Sequence, residues 1–478
     1  MNFENTRIYK LLSSAPAVEL NRFSKFIHSP YFNKNQHIMA LFDIVNNAIR
    51  TGNAVLPKEK LWGEIGFELP YKDIKFRKLC NDLLERYERF LAIENMESDD
   101  LLHANLLIDA VKKTGNKNLI EKHIGKSDNI FNRTPDKSSD FFLQKYMHDK
   151  TLQNLVTNYE KKEDIKKHIN NESYAELSTQ LDAFYVIEKL RHAIDVITWS
   201  KQYKTEIDVD LTETLHLIET NKLSDITAVQ VYWLIYQILT QDDSKSLFFE
   251  LKEIAKNDIY QFPKTEQAEI FDALFSYCIR WVNKGDIEFT KEYLDIHEWG
   301  IREELILKNG ILSPTSFRNY VIAGLRIGEM DRVEKYINNN LRFLEEYRRD
   351  NALNFNLARL NWWKKDYEKV LEYLNKVNYD DIWYNINSKN YLLASFYEMD
   401  EIDALYSNID SFVAFLRREK SLDATRKRRH INFTNFLKRL INKSENKAQL
   451  SKLKEEVEAE KEIVNKSWLL EKIEEQLR

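Results

Sequence analysis

Leu357–Val377 reads LARLNWWKKDYEKVLEYLNKV, an apolar helical run, a break at Lys365-Asp366, and a second amphipathic run. Apolar residues recur every three or four positions on both sides of the break, the spacing of a helix with one buried face. A single hairpin of this kind cannot bury its own apolar surface, so its meaning depends on whether the pattern returns. It does. Upstream stand SYCIRWVNKGDIEFTKEYLDI and NYVIAGLRIGEMDRVEKYINN, and downstream KNYLLASFYEMDEIDALYSNI. Their turns, Gly285-Asp286, Gly328-Glu329, Lys365-Asp366 and Asp400-Glu401, are 43, 37 and 35 residues apart. A tyrosine recurs at one offset from the turn in three copies, as Tyr293, Tyr336 and Tyr373. A fainter copy, VYWLIYQILTQDDSKSLFFELKEI, precedes them. Periods of this size are the signature of stacked helical hairpins.

Composition agrees with an all-α chain. At 478 residues the chain is too long for one simple core. Hydrophobic residues make up 43% and aromatics 12%, enough apolar surface to offset the entropy of ordering. Only 10 Gly and 7 Pro occur, too few for sheets with tight turns or for phosphate-cradling loops. The net charge of −5 implies little global attraction to nucleic acid or anionic membrane. Cys80 and Cys278 lie far apart in apolar helical patterns and read as buried thiols, which suits a reducing compartment. No signal-peptide pattern and no 18-residue apolar run occurs, so the expectation is a cytoplasmic protein without membrane insertion.

The repeats resemble the tetratricopeptide family, whose units are about 34 residues long. Leu357 and Ala358 occupy the Leu-Gly positions of that motif's first helix, Asp366-Tyr367 match its turn, and Leu374 and Val377 its packing positions. Asn361 replaces an aromatic, Val370 a small residue and Ile382 a terminal proline; other copies supply Phe317 at the first aromatic position and Trp281 where Asn361 sits. The resemblance is clearest over 265–420. It implies a right-handed α-α superhelix whose first helices line a concave, peptide-binding side. The overall layout is also similar to a family of long helical cytoplasmic bacterial proteins that carries no assigned activity.

The expected organisation is a helical N-terminal domain (1–97), a divergent hairpin array (98–264), the tetratricopeptide-like repeats (265–442) and a C-terminal cap (443–478). In the first part Ser29-Pro30 ends a helix. Asp73 is expected to be the N-cap of a long helix. Lys75, Arg77, Lys78, Arg86 and Arg89 on that helix could serve a DNA-reading helix-turn-helix. Acidic residues interleave with them at i,i+3 and i,i+4, however, the pattern of an exposed helix pairing its charges. Further on, Leu181, Phe184, Ile187, Leu190, Ile194 and Ile197 form the expected apolar stripe of the strongest helix, with His192 packed beside it. At the C-terminus, Trp468, Leu469, Ile473 and Leu477 share one face of a capping helix, a coiled-coil arm being the alternative.

Enzyme motifs fail one by one. Gly125-Lys126-Ser127 looks like the end of a P-loop, but Ile120 stands where its first glycine belongs. No G-x-S-x-G or H-E-x-x-H occurs, and the ten histidines are scattered. The expectation is therefore no catalysis, no cofactor and no metal. Two binding surfaces are nominated instead. Transfer of the family register puts Arg318, Asn319, Ile322 and Arg326, then Asn356, Arg359, Trp362 and Trp363, on the concave wall, suited to a peptide carboxylate or acidic side chain over an apolar floor. The competing reading is that the tryptophans pack between hairpins and the arginines are solvated. The second surface spans Arg417–Lys443, where ten lysines and arginines face only Glu419 and Asp423, a local charge of +8. Arg417, Arg426, Lys427, Arg428, Arg429, Lys438, Arg439 and Lys443 could meet an acidic protein, a nucleic-acid backbone or the chain's own carboxylates. The reading is a protein-interaction scaffold or adaptor; the alternative is a nucleic-acid-binding protein using the basic surface and the N-terminal helices.

Overall fold

The computed structural model describes residues 3–134, 138–159, 171–220, 223–242, 244–443 and 446–478; the side chains of 156–159, 171–173 and 443 lie outside that description. Pro135–Lys137 of the NRTPDKSS loop and Asn170 of NNES are likewise outside it. Among the described residues there are 23 α-helices and no strand, and no helix is long and apolar enough to cross a membrane. The helices form two compact units, Met1–Trp233 with Tyr260–Pro263, and Leu234–Ile259 with Lys264–Arg478.

In the first unit, α1 (Arg7–Ser14), α2 (Ala17–Ile27), α3 (Gln36–Thr51), α4 (Lys58–Glu64) and α5 (Asp73–Ser98) share one aromatic core. Phe23 is its hub, with the rings of Phe42, Tyr87 and Phe90 between 5.0 and 5.3 Å away. α2 stops two residues short of Ser29-Pro30, as proline requires. Asp73 is not the cap of α5. It is the first helical residue, and its carboxylate takes the Tyr71 hydroxyl at 2.8 Å and Arg77 at 2.7 Å. Those bonds hold it below the usual aspartate range, the Tyr71 hydroxyl contributing most.

The unit continues through α6 (Asp100–Lys112), α7 (Lys117–Arg133), α8 (Ser139–Tyr159), α9 (Asn171–Tyr203) and α10 (Thr212–Thr220). α8 and α9 lie against each other. The buried line of α9 is Gln180, Ala183, Val186, Ile187, Leu190, Ala193 and Val196. Only Ile187 and Leu190 of the expected stripe fall fully on it; Leu181 and His192 face solvent. The buried line is rotated from the expected stripe, taking in Ala183, Val186 and Ala193 beside Ile187 and Leu190.

Next come α11 (Thr227–Thr240) and α12 (Lys245–Asp258), followed in the second unit by α13 (Lys264–Val282), α14 (Ile287–Arg302), α15 (Pro314–Arg326), α16 (Met330–Asn340), α17 (Glu346–Trp363), α18 (Tyr367–Leu374), α19 (Ile382–Glu398), α20 (Ile402–Arg418), α21 (Ala424–Lys443), α22 (Lys447–Ala459) and α23 (Lys466–Leu477). From α12 onward each helix packs on the next, and α15, α17 and α19 also lie side by side. Within one hairpin the fit is tight: a Cβ at Gly324 of α15 would come within 2.4 Å of the Val333 side chain on α16.

The four repeat turns share one geometry. The amides of Asp286, Glu329, Asp366 and Glu401 donate to the carbonyls of Trp281, Gly324, Asn361 and Phe396. Those of Gly285, Gly328, Lys365 and Asp400 donate to Val282, Leu325, Trp362 and Tyr397. This is a Schellman stop, which needs a left-handed residue. The φ values are 84°, 80°, 60° and 59°. Lys365 and Asp400 bear a Cβ in a region that costs such residues about 1–2 kcal/mol. Lys365→Gly and Asp400→Gly are each expected to raise the urea midpoint of the second unit, by about 1 kcal/mol in stability after the extra unfolded-state entropy of glycine is counted. A lowered midpoint would show that these side chains contribute contacts outweighing the strain.

Candidate functional site

The side-by-side helices α15, α17 and α19 bring two guanidinium groups to one aromatic cluster. Arg359 on α17 is 6% exposed. Its Nε donates to the Tyr391 hydroxyl at 3.2 Å and Nη1 to the side-chain Oδ1 of Asn356 at 3.4 Å. Asn356, itself buried, is oriented by donating to the Ala352 carbonyl at 2.7 Å. The Arg359 guanidinium lies 4.9 Å from the Phe355 ring centre and 5.9 Å from that of Trp383. Arg318, half-buried on α15, lies 4.3 Å from the same Trp383 ring.

Among the described residues neither arginine has a carboxylate within ion-pair distance. Burial, and then the charge of Arg359, holds Arg318 below the ordinary arginine value. The acid that acts on Arg318 is Asp381, whose carboxylate is already engaged in capping α19 through the amides of Trp383 and Tyr384. Nearby Arg348 is satisfied by Glu345 at 2.8 Å. Buried charges are normally paired, because desolvation costs several kcal/mol per ion. Here two like charges share a partly dry aromatic site, and Arg359 uses only two of its five N–H donors. Chemically, the arrangement favours an added anion.

Of the nominated groove residues, Arg318, Asn356 and Arg359 meet in this cluster. Asn319 and Arg326 are exposed and take no part in its contacts. Trp363 is 41% exposed. Trp383, Tyr384 and Tyr391 join the cluster without having been nominated by register. Tyr391 has a legible signal, since it stands at the Asn356 position of the next repeat, 35 residues on.

Trp362 has a different fate from its neighbour: its ring lies 6.1 Å from Trp468 on α23. Trp468 also touches Tyr397 at 5.5 Å and Phe433 at 6.1 Å, and its Nε1 donates to Glu398 at 2.7 Å. One turn on, Lys472 pairs with Glu398 at 3.0 Å and Glu475 at 2.8 Å; one turn further, Gln476 donates to the Tyr397 hydroxyl. Burial works against the Lys472 charge, but the bonds to Glu475 and Glu398 outweigh it and raise its pKa. The last helix therefore does more than close the final hairpin. It covers the ends of α17 and α19, and Trp362 belongs to that contact. Trp468→Ala is expected to destabilise the second unit by about 3 kcal/mol, through the lost aromatic packing and the lost Nε1 hydrogen bond to Glu398. Urea unfolding reads this directly, and a change below about 1 kcal/mol would mean the contact is incidental.

Among the described residues, four of the ten lysines and arginines of the Arg417–Lys443 stretch are paired with carboxylates of the chain itself. Arg428 pairs with Glu462, Arg439 with Glu456 at 2.5 Å, Lys438 with Asp410 at 2.6 Å, and Arg426 with Asp423 at 3.3 Å. Arg417 and Arg429 are exposed and Lys427 is half-buried; the side chain of Lys443 lies outside the described residues. Phe433, Leu437 and Leu440 are fully buried, as their packing positions require.

The two thiols and one Ser-His-Asp chain are closed off by burial. Burial pushes the Cys80 thiol up to about 12 and raises that of Cys278, so neither is a ready nucleophile. Gly125-Lys126-Ser127 lies inside α7, where helical amides cannot cradle a phosphate. Ser127, His148 and Asp149 do form a chain, with Oγ to Nε2 at 2.7 Å and Nδ1 to the carboxylate at 2.9 Å. Such an order has the outline of a nucleophile and its base, but Ser127 is 2% exposed, His148 is fully buried, and the hydroxyl also faces the Ile124 carbonyl at 2.8 Å. Its role is to satisfy a buried imidazole. A cleft of about 870 Å³ between α14 and α16 contains Glu298, which is already held by Tyr320 and Arg332. No group of His, Cys, Asp and Glu that could hold a metal ion occurs among the described residues.

Comparison with family models, with curated proteins and with solved structures returned no match.

Proposed function

We propose that this chain is a non-enzymatic protein–protein interaction scaffold or adaptor, built as a right-handed, tetratricopeptide-like α-α superhelix. It captures an acidic peptide or helical segment along α15, α17 and α19. The observation that carries this reading is Arg359, buried beside Arg318 without a carboxylate. An incoming carboxylate supplies the missing counter-charge and accepts the free N–H groups of both arginines, while Trp383 and Tyr391 keep water from competing. Charge-assisted hydrogen bonds of this kind contribute about 1.5–3 kcal/mol each.

A native pull-down with and without nuclease, followed by mass spectrometry, tests the partner class. Protein partners should persist after nuclease, and their complete loss would sink the scaffold reading. Titration of the full chain with a fluorescein-labelled Asp/Glu-rich peptide tests the site. Arg318→Glu with Arg359→Glu should abolish binding, whereas Arg302→Glu on α14 should not. Equal binding by the double variant would remove this cluster from consideration.

A further inference from the structure

The surroundings of Arg318 and Arg359 are rich in donors and poor in acceptors. Around the buried Phe355 ring stand Trp383 at 5.0 Å, Tyr384 at 5.3 Å and Tyr391 at 6.0 Å between ring centres. Tyr391 accepts from Arg359, and among the described residues nothing accepts its own proton or that of the Tyr384 hydroxyl. Arg318 makes no hydrogen bond among them, and Arg359 has N–H groups to spare. Burial, and then Asp381, raises the Tyr384 pKa against the charges of Arg318, Arg348 and Arg359, so the phenol remains a donor. Of those three arginines only Arg348 has an acid of its own, Glu345.

Charge and acceptor number say which anion fits. Two guanidiniums without a carboxylate call for two negative charges. Asp381 does not supply one, because it caps α19 and meets the positive end of that helix. One turn before Arg318 lies the start of α15, whose N-cap Ser313 makes no side-chain cap bond, so this second helix end adds to the positive side. A carboxylate brings one charge and two oxygens. A phosphate monoester brings about −1.5 to −2 at pH 7 and three acceptor oxygens, and so answers both demands.

We infer that the anion received here is a phosphate monoester on a side chain of the captured segment, so that phosphorylation of the partner turns capture on. The inference rests on the reading of α15, α17 and α19 as the capturing helices. The guanidiniums take the phosphate oxygens through charge-assisted bonds, and the Tyr384 and Tyr391 hydroxyls serve the remaining lone pairs. An unmodified serine at the same place brings no charge and leaves both arginines unpaired.

The test uses fluorescein-labelled peptides of one otherwise uncharged sequence, with serine, glutamate or phosphoserine at the central position, titrated into the full chain in phosphate-free buffer. The phosphoserine peptide should bind at least about tenfold more tightly than the glutamate peptide, the equivalent of one added charge-assisted hydrogen bond. Arg318→Met, which keeps Arg359, should shrink that advantage to about threefold or less. Inorganic phosphate should displace the phosphopeptide only at concentrations at least about tenfold above those of the unlabelled phosphopeptide. If the glutamate or the Asp/Glu-rich peptide binds and phosphoserine brings no advantage, this inference fails while the scaffold reading stands. Equal potency of inorganic phosphate would also overturn it, since the site would then take the free anion rather than a modified segment. Should none of the peptides bind, the Asp/Glu-rich one included, both readings of the site fall together.

Discussion

Arg359→Met is expected to make the free protein more stable and, at the same time, unable to capture an acidic segment. The two effects have one cause. Arg359 is buried among aromatic rings with no carboxylate, and its charge works against that of Arg318, so the folded state holds two like charges without a counter-ion. Methionine fills a comparable volume without the charge. Against the gain stand the bonds to Tyr391 and Asn356, worth about 1 kcal/mol each. The contacts with the Phe355 and Trp383 rings offset part of the gain as well, and the net expectation is a gain of about 1 kcal/mol, from removing an unpaired buried charge and its repulsion of Arg318. Urea unfolding of the second unit and peptide titration, on the same samples, read the two effects. If Arg359→Met instead lost several kcal/mol and still bound peptide, Arg359 would be a structural residue and the anion site would be elsewhere.

Acidification should produce the other large effect. His297, fully buried on α14 with Nε2 3.1 Å from the Ser316 hydroxyl, is held down to about 3 by burial. His430, against Asn390 and Phe412, is held down to about 4 by burial and then by Arg429. Unfolded, each takes up a proton near pH 6.5. Between that value and the folded pKa the unfolded chain binds more protons, so stability falls as the pH falls. By pH 4.5 the His297 contribution is a loss of about 2–3 kcal/mol, with a somewhat smaller one from His430. Together they rival the whole stability of an ordinary domain. Carboxylates held low, such as Asp286, add a loss of the same sign only below the ordinary carboxylate range. Urea midpoints at pH 7, 5.5 and 4.5 should fall steadily, and His297→Gln should flatten the slope. A midpoint unchanged down to pH 4.5 would mean that these imidazoles are charged in the folded state.

The parts of the fold that can be read in advance are those with local causes. All four hairpin turns lie where Gly285, Gly328, Lys365 and Asp400 put them, because a Schellman stop is made by bonds spanning five residues or fewer. Tyr293 and Tyr336 are buried at their shared offset, while Tyr373 is half-buried. Legibility ends where two helices choose which faces meet. Periodicity puts the α9 stripe on its largest apolar residues, yet the face that packing covers runs through Ala183, Val186 and Ala193 and leaves Leu181 and His192 outside. Asp73 carries a capping composition, but Tyr71 and Arg77 claim its carboxylate.

Helix periodicity, the repeated turns and the absence of a local catalytic motif are all properties of short windows, so the amino-acid order alone decides them. The Arg318–Arg359 cluster is not of this kind. Arg318, Arg359 and Trp383 belong to three helices, and only their lateral packing brings a half-buried and a buried guanidinium to one aromatic ring without a carboxylate partner. Trp362 is covered by Trp468, 106 residues later, and Arg428, Arg439 and Lys438 of the basic stretch are paired with Glu462, Glu456 and Asp410. Desolvation and charge pairing depend on which distant surfaces meet, and that is decided by the tertiary packing.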